Sequence, residues 1–335
     1  MTHAYATGTT RRRCIGIVAA VSAAVVAPGL LHRAEAGAVT PPVTTWQGVA
    51  LGADAQLRIV HPDRKLAEQL VQQAVAEVRR LEQVFSLYRD DSALVRLNDA
   101  GILRDAPGDL TRLLATTLQF CAATGGAFDP TVQPLWELYA SAIGAGRPIP
   151  RGRSLQAVLA RVDWRDVHLD GGDIRLGRPG MRLTLNGIAQ GYITDRVTDA
   201  LRDAGLDHVL VDMGEVRALA PPQAKPWRVG LAGDDEARTP LATLVLREGA
   251  VSTSSGSGTV LDARSGLNHI FDPRTGLSAT RWRSVSVQAA SATTADALST
   301  AFCLMDAQAI RRVAAREDAQ VWALAHGASG LRRLA

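Results

Sequence analysis

Two hydrophobic periods run along this chain. Between residues 64 and 85, Leu66, Leu70, Ala74, Val78, Leu81 and Phe85 recur every three or four positions, which predicts an amphipathic helix with a core-facing stripe. Just before it, residues 56–60 alternate apolar and polar, as a half-buried strand does. Asp109 is placed to cap a second helix running through Cys121 and stopped by Gly125-Gly126. A third helix is expected from Asn186 to near Gly205, a residue suited to a C-terminal cap. Beyond it, strand-like runs occupy 208–211, 227–231, 241–246 and 284–288. A further helix is expected from about Thr294 into the 310s, then a last strand at 320–324. Residues 37–45, with Pro41-Pro42, look like a linker, and 141–182 like a long irregular excursion with short strands.

Helices and strands are mixed without regular βαβ alternation, so the expected class is α+β rather than a doubly wound parallel sheet. No G-x-G-x-x-G follows a strand, which leaves a Rossmann dinucleotide site unsupported.

The amino terminus changes the charge argument. Thr10-Arg11-Arg12-Arg13-Cys14 precedes an almost wholly apolar or small stretch to Leu31, and Ala34-Glu35-Ala36 reads as a cleavage site. That order of parts describes an export signal over residues 1–36 and a periplasmic destination. The paired arginines favour the twin-arginine route over an ordinary Sec signal. Cys14 lies before the apolar run, which excludes a lipid anchor. The segment carries four arginines and one acid, so it holds +3 of the formal +4. The remainder is nearly neutral and has no basic cluster with interleaved aromatics, so a nucleic-acid partner is not expected. No later apolar run is long enough to span a bilayer. Cys121 and Cys303 sit in apolar helical patterns and read as core residues, not a disulfide or zinc set.

Three segments carry candidate chemistry. In Ala295-Asp296-Ala297-Leu298-Ser299-Thr300, a helix capped by Thr293 or Thr294 would project Asp296 and Thr300 from one face. A carboxylate and a hydroxyl are hard oxygen ligands that suit Mg²⁺; alone, such an aspartate more often complements the helix dipole. In Leu183-Thr184-Leu185-Asn186-Gly187-Ile188-Ala189-Gln190-Gly191-Tyr192, small residues at a helix start leave backbone N–H groups open to a phosphate, or simply allow close packing. The run 252–258 is rich in hydroxyls and glycine, and Asn268-His269-Ile270-Phe271-Asp272-Pro273-Arg274-Thr275-Gly276 follows it. No strand–turn–helix G-x-S-x-G supports a hydrolase triad there, and Asp272 to Gly276 can be turn chemistry alone.

In order, these segments resemble the ApbE family of FAD:protein FMN transferases. Phe85-Ser86-Leu87-Tyr88-Arg89 with Leu97-Asn98 comes first, then Ala127-Phe128-Asp129-Pro130-Thr131-Val132, close to the family's A-F-D-P-T-V. Residues 185–192 resemble its G-I-A-K-G-Y block, 269–276 its H-I-x-D-P-x-T-G block, and 295–300 its A-D-A-L-x-T block. The resemblance implies a single ApbE-like domain over 46–335, of two lobes with FAD in the cleft between them. It implies Mg²⁺ held by Asp296, Thr300 and the Gly187 carbonyl. FAD would be bound as substrate by Ala127, Phe128, Asp129, Thr184, Gln190 and Ile270, with Tyr88 stacking. His269 would help deprotonate a Thr or Ser hydroxyl of an acceptor protein, with AMP released.

This chain departs from the pattern at several positions. Thr184 stands where the family usually has Asp, Asn186 where it has Gly or Ser, and Gln190 where it has Lys. The usual N-L-G-G-D-I-R reads Asp212-Met213-Gly214-Glu215-Val216-Arg217, one residue short. That short run with an arginine-rich leader resembles the NosX branch, whose acceptor is the membrane protein NosR of nitrous oxide respiration. Two alternatives share the site: an FAD pyrophosphatase releasing FMN and AMP, and a non-catalytic FAD-binding assembly factor.

Overall fold

The computed structural model describes residues 41–231 and 240–335. The expected export segment 1–36, and positions 37–40 of the expected linker, lie outside the described residues.

β1 (Val43–Ala50) and β2 (Ala53–Val60) form a hairpin in register from Val43↔Val60 to Ala50↔Ala53. Leu51 and Gly52 turn it with φ of 47° and 82°, both positive, as the twist of a two-residue hairpin demands. β1 therefore begins inside the segment expected to be a linker. It is an edge strand, largely exposed along its length, so its sequence carries little core signal.

α1 (Arg64–Phe85) matches its expected bounds, capped by Asp63 accepting from the Leu66 N–H at 3.1 Å. α2 (Ala93–Ala100) and β3 (Ile102–Leu103) lead to α3 (Gly108–Ala123). Pro107, with φ preset by its ring, takes the cap position of α3, so Asp109 falls in the first turn instead of capping. There Asp109 accepts from the Tyr192 hydroxyl and pairs with Arg80, each at 2.7 Å. α4 (Gln133–Gly144), α5 (Arg153–Leu159), β4 (Val167–Asp170) and β5 (Asp173–Leu176) order much of the stretch expected to be irregular. α5 buries only Leu155, which left it no legible period.

α6 (Ala189–Asp203) starts three residues later than expected and is followed by Gly205 at φ 89°. Next come β6 (Val209–Asp212), β7 (Val216–Leu219), the pair β8 (Trp227–Leu231) and β9 (Ala242–Leu246), and β10 (Glu248–Ser255). β11 (Val260–Asp262), β12 (Leu267–Asn268) and β13 (Ser284–Ala289) precede α7 (Ala292–Phe302) and α8 (Ala307–Arg316). β14 (Gln320–Leu324) and β15 (Arg332–Arg333) close the described chain. The one helix expected from Thr294 into the 310s is thus two. Cys303 ends α7, and Asp306 caps α8 by accepting from Gln308 and Ala309 N–H groups at 2.9 and 2.8 Å.

The main sheet has the order β1-β2-β6-β7-β10-β13-β14-β15, antiparallel throughout. Its strands lie side by side in chain order, and the helices enter as insertions between them, so the class is α+β, as expected. α7 packs on β10 and β13, and α6 packs against both α7 and α1. Leu57, Ile59, Leu81, Phe85, Val197, Val285, Val287, Leu298 and Phe302 fill the core between sheet and helices. A separate cluster of Leu135, Tyr139, Leu155, Leu267 and Phe271 ties α4 and α5 to the segment carrying His269. Among the described residues no helix is long and apolar enough to cross a membrane.

Candidate active site

The start of α7 is placed by another helix. Asp195 of α6 accepts from the Ala292 and Thr293 N–H groups, each at 2.8 Å, and from the Thr293 hydroxyl at 2.6 Å. These N–H groups have no intrahelical partner, so a carboxylate there both satisfies them and complements the helix dipole. Arg217 of β7 holds Asp195 at 2.9 Å and Asp199 at 3.0 Å. Ser291, rather than Thr293 or Thr294, is the side-chain cap, accepting from the Thr294 N–H at 3.1 Å. The pairing of Asp195 and Arg217 has no local pattern, because Asp195 meets α7 at separations of 97 and 98 residues and Arg217 meets α6 from a different element.

With α7 so fixed, Asp296 is buried and its Oδ2 accepts the Gly191 N–H at 3.0 Å. Gly191 has to be glycine: a Cβ there would stand 2.3 Å from the Ala292 carbonyl oxygen and 2.9 Å from Asp296 Cβ. A Cβ on Gly187 would lie 3.0 Å from Thr300 Oγ1 and 3.3 Å from the Phe128 ring. The three residues expected to hold a metal therefore converge where α6 begins against α7, with Phe128 beside them. Ser254 of β10 lies 3.2 Å from Thr300 Oγ1 and 2.7 Å from Ser299 Oγ, which in turn meets Ser252 at 2.9 Å. Of the hydroxyls read from 252–258, Ser252 and Ser254 thus join a chain along α7, whereas Thr253 meets Ser286 and Ser255 meets Ser257.

Glu215 is buried at the same place. Burial first, and then the Asp296 carboxylate, push its pKa well above the usual carboxylate range, opposed by a hydrogen bond from Ser252. Its Oε2 and the Nε2 of buried Gln190 both lack a hydrogen-bond partner. Gln190 lies against Gly214, whose φ of 101° and absent Cβ leave room for the amide.

The other expected residues divide by role. Asp129 spends both carboxylate oxygens on the fold: Oδ1 accepts from the Thr131 N–H and hydroxyl at 2.8 and 2.6 Å, and Oδ2 from the Trp164 N–H at 3.2 Å. Burial lifts its pKa to about 6 despite those donors. Thr184 donates its N–H to the Pro130 carbonyl at 2.8 Å, joining the 127–132 block to the 183–192 block. Asn98 clamps the neighbouring Leu183 through donor and acceptor bonds of 2.9 and 2.6 Å. Ala127, Phe128 and Ile270 are buried. Tyr88 is 67% exposed, an aromatic left standing on the surface just after α1.

His269 is half-buried, with Nδ1 3.2 Å from the Thr259 carbonyl. A proton on Nδ1 would be donated to that carbonyl, which makes Nε2 the basic nitrogen. The adjoining Asn268 lies under Gly256, at the end of the β10 strand that delivers Ser254 to Thr300. Asp272 is not its partner in a triad. Asp272 forks onto Arg274 at 2.8 and 2.7 Å within the turn closed by the Gly276 N–H, so the turn reading holds for it.

The ApbE family model matches residues 51–325. The chain belongs to the ApbE family. The FAD:protein FMN transferase of Treponema pallidum is 35% identical over 273 residues, covering 72% of this chain and 73% of that protein. That of Escherichia coli strain K12 is 26% identical, covering 84% and 83%. The solved ApbE protein of Thermotoga maritima superposes with a TM-score of 0.76 at 27% identity, over 87% of this chain and 97% of that one. Pseudomonas stutzeri flavinyl transferase ApbE, in its apo form, gives 0.72 at 25% identity, over 88% and 94%. Of the ApbE blocks quoted from the sequence, 127–132, 185–192 and 295–300 meet where α6 begins against α7.

Proposed function

We propose that this protein is an Mg²⁺-dependent FAD:protein FMN transferase of the periplasm, acting on a Thr or Ser hydroxyl of an acceptor protein. The observation that carries the reading is the convergence of Gly187, in the turn that opens α6, with Asp296 and Thr300 of α7, the two helices being fixed to one another by Asp195. The residues fit a hard divalent cation: the donors are all oxygen, and a buried carboxylate oxygen beside them has no donor of its own. Asp296, Thr300 and the Gly187 carbonyl would hold the ion. When bound, it supplies positive charge against pyrophosphate oxygens.

FAD would lie along Ala127, Phe128, Thr184, Gln190 and Ile270, in a cleft between two lobes, with the exposed Tyr88 ring stacking on it. Asp129 would shape that wall rather than contact the nucleotide. His269 Nε2 would take the proton of the incoming hydroxyl. The hydroxyl oxygen then bonds to the FMN-side phosphorus while the bond to AMP breaks, leaving FMN on the acceptor as a phosphoester. The resemblance to the NosX branch makes a periplasmic segment of NosR the acceptor to try first. Chromatography of FAD incubated with Mg²⁺, with and without acceptor, separates the alternatives. AMP released only with acceptor, and no free FMN, is expected. AMP and FMN released together without acceptor would mean a pyrophosphatase; intact FAD in both would mean a binding protein.

A further inference from the structure

We propose that Glu215 is a further metal ligand of this site, adding a second carboxylate to Asp296. The inference rests on the metal-dependent reading above and names a residue that reading does not use.

Glu215 stands at the end of the Asp212-to-Glu215 turn between β6 and β7, and is only 7% exposed. Its backbone is pinned: the carbonyl accepts the Thr194 hydroxyl at 3.1 Å and the Met213 N–H at 3.2 Å. The side chain is directed inward toward Ser252 and Asp296, and its Oε2 has no donor. A buried carboxylate oxygen without a donor is costly, and a second carboxylate nearby makes it costlier. The nearest arginine in sequence does not relieve it: Arg217 Nη1 is held by Asp195 and Asp199, and its buried Nε, itself without a partner, does not bond Glu215. A divalent cation between Glu215 and Asp296 removes both penalties at once. The hydroxyl chain Ser252–Ser299–Ser254–Thr300 links the serine that bonds Glu215 to Thr300, one turn beyond Asp296 on α7. A trapped water bridging Glu215 Oε2 to the unpartnered Gln190 Nε2 is the competing account.

The test is Mn²⁺ binding to the full chain without FAD, read by electron paramagnetic resonance, for wild type, Glu215→Gln and Asp296→Asn. Both variants are expected to bind at least tenfold more weakly, with the metal-free melting temperature of Glu215→Gln unchanged or raised. Wild-type affinity in Glu215→Gln with loss in Asp296→Asn would overturn the role of Glu215 alone. No Mn²⁺ binding by wild type would overturn the metal-dependent reading itself. Should Glu215→Gln fail to fold, the anomalous signal of Mn²⁺ soaked into wild-type crystals decides. An ion within direct bonding distance of Glu215 Oε2 and Asp296 is expected; an ion on Asp296 only, or water alone beside Glu215, overturns the proposal.

Discussion

Single residues at this site are constrained by distances that leave little freedom. Gly191→Ala would set a methyl 2.3 Å from a backbone oxygen, which no rotamer change relieves. Separating α6 from α7 should cost roughly 1–3 kcal/mol, visible as a lower melting temperature, together with loss of flavin transfer. Wild-type stability would argue that the two helices slide freely. Asp129 makes a pH prediction. Its folded pKa, about 6, lies above the ordinary value of about 4, so the folded chain keeps a proton that the unfolded chain has shed. The stabilisation is complete below about 4 and is lost as pH rises through about 6. Asp129→Asn should therefore flatten the fall in melting temperature over that window, while lowering stability overall because one acceptor is gone. An unchanged slope in thermal melts across the window would contradict the assignment.

At the scale of elements, α7, the helix proposed to bear the metal, depends on a carboxylate from its neighbour. Asp195→Ala leaves the α7 N–H groups unsatisfied and Arg217 with only the half-exposed Asp199 as partner, a loss of roughly 3 kcal/mol by analogy with broken buried pairs. Denaturant unfolding should register it, and Mg²⁺ affinity should fall although Asp195 never meets the ion. A stable variant with normal Mg²⁺ binding would show that α7 holds its own start. The sequence revealed α1, the strands β2, β6, β13 and β14 and the order of the ApbE blocks because these follow local periods and short motifs, but not β7 and β10 in the middle of the sheet. It did not reveal Asp195 or Glu215, whose meaning comes from partners brought close by the sheet. The break between α7 and α8 was legible in Asp306, a good cap, but an apolar pattern running through Phe302 and Leu304 concealed it. β1 was hidden because an exposed edge strand needs no hydrophobic alternation to pair with β2.

For the whole molecule, the antiparallel sheet supplies β10 and β13 as the floor on which α7 rests, and the insertions between strands bring the 127–132 and 185–192 blocks to it. The two described cysteines belong to that packing. Both are buried, and burial pushes both thiols up, Cys303 to about 12. Neither should react with a thiol reagent until the protein unfolds, and labelling kinetics in native buffer check this. Rapid modification of Cys121 or Cys303 would mean the core opens more readily than its packing indicates.

The most direct test of the account is in-gel flavin fluorescence after denaturing electrophoresis. The protein lacking residues 1–36 would be incubated with FAD, Mg²⁺ and an acceptor domain such as the periplasmic part of NosR, beside Asp296→Ala. A fluorescent acceptor band that vanishes in the variant is the predicted result, since only covalent FMN survives denaturation and only a metal-competent α7 can place it. An acceptor band equally bright with Asp296→Ala would contradict the metal role, and FAD left intact with every acceptor tried would contradict the transferase.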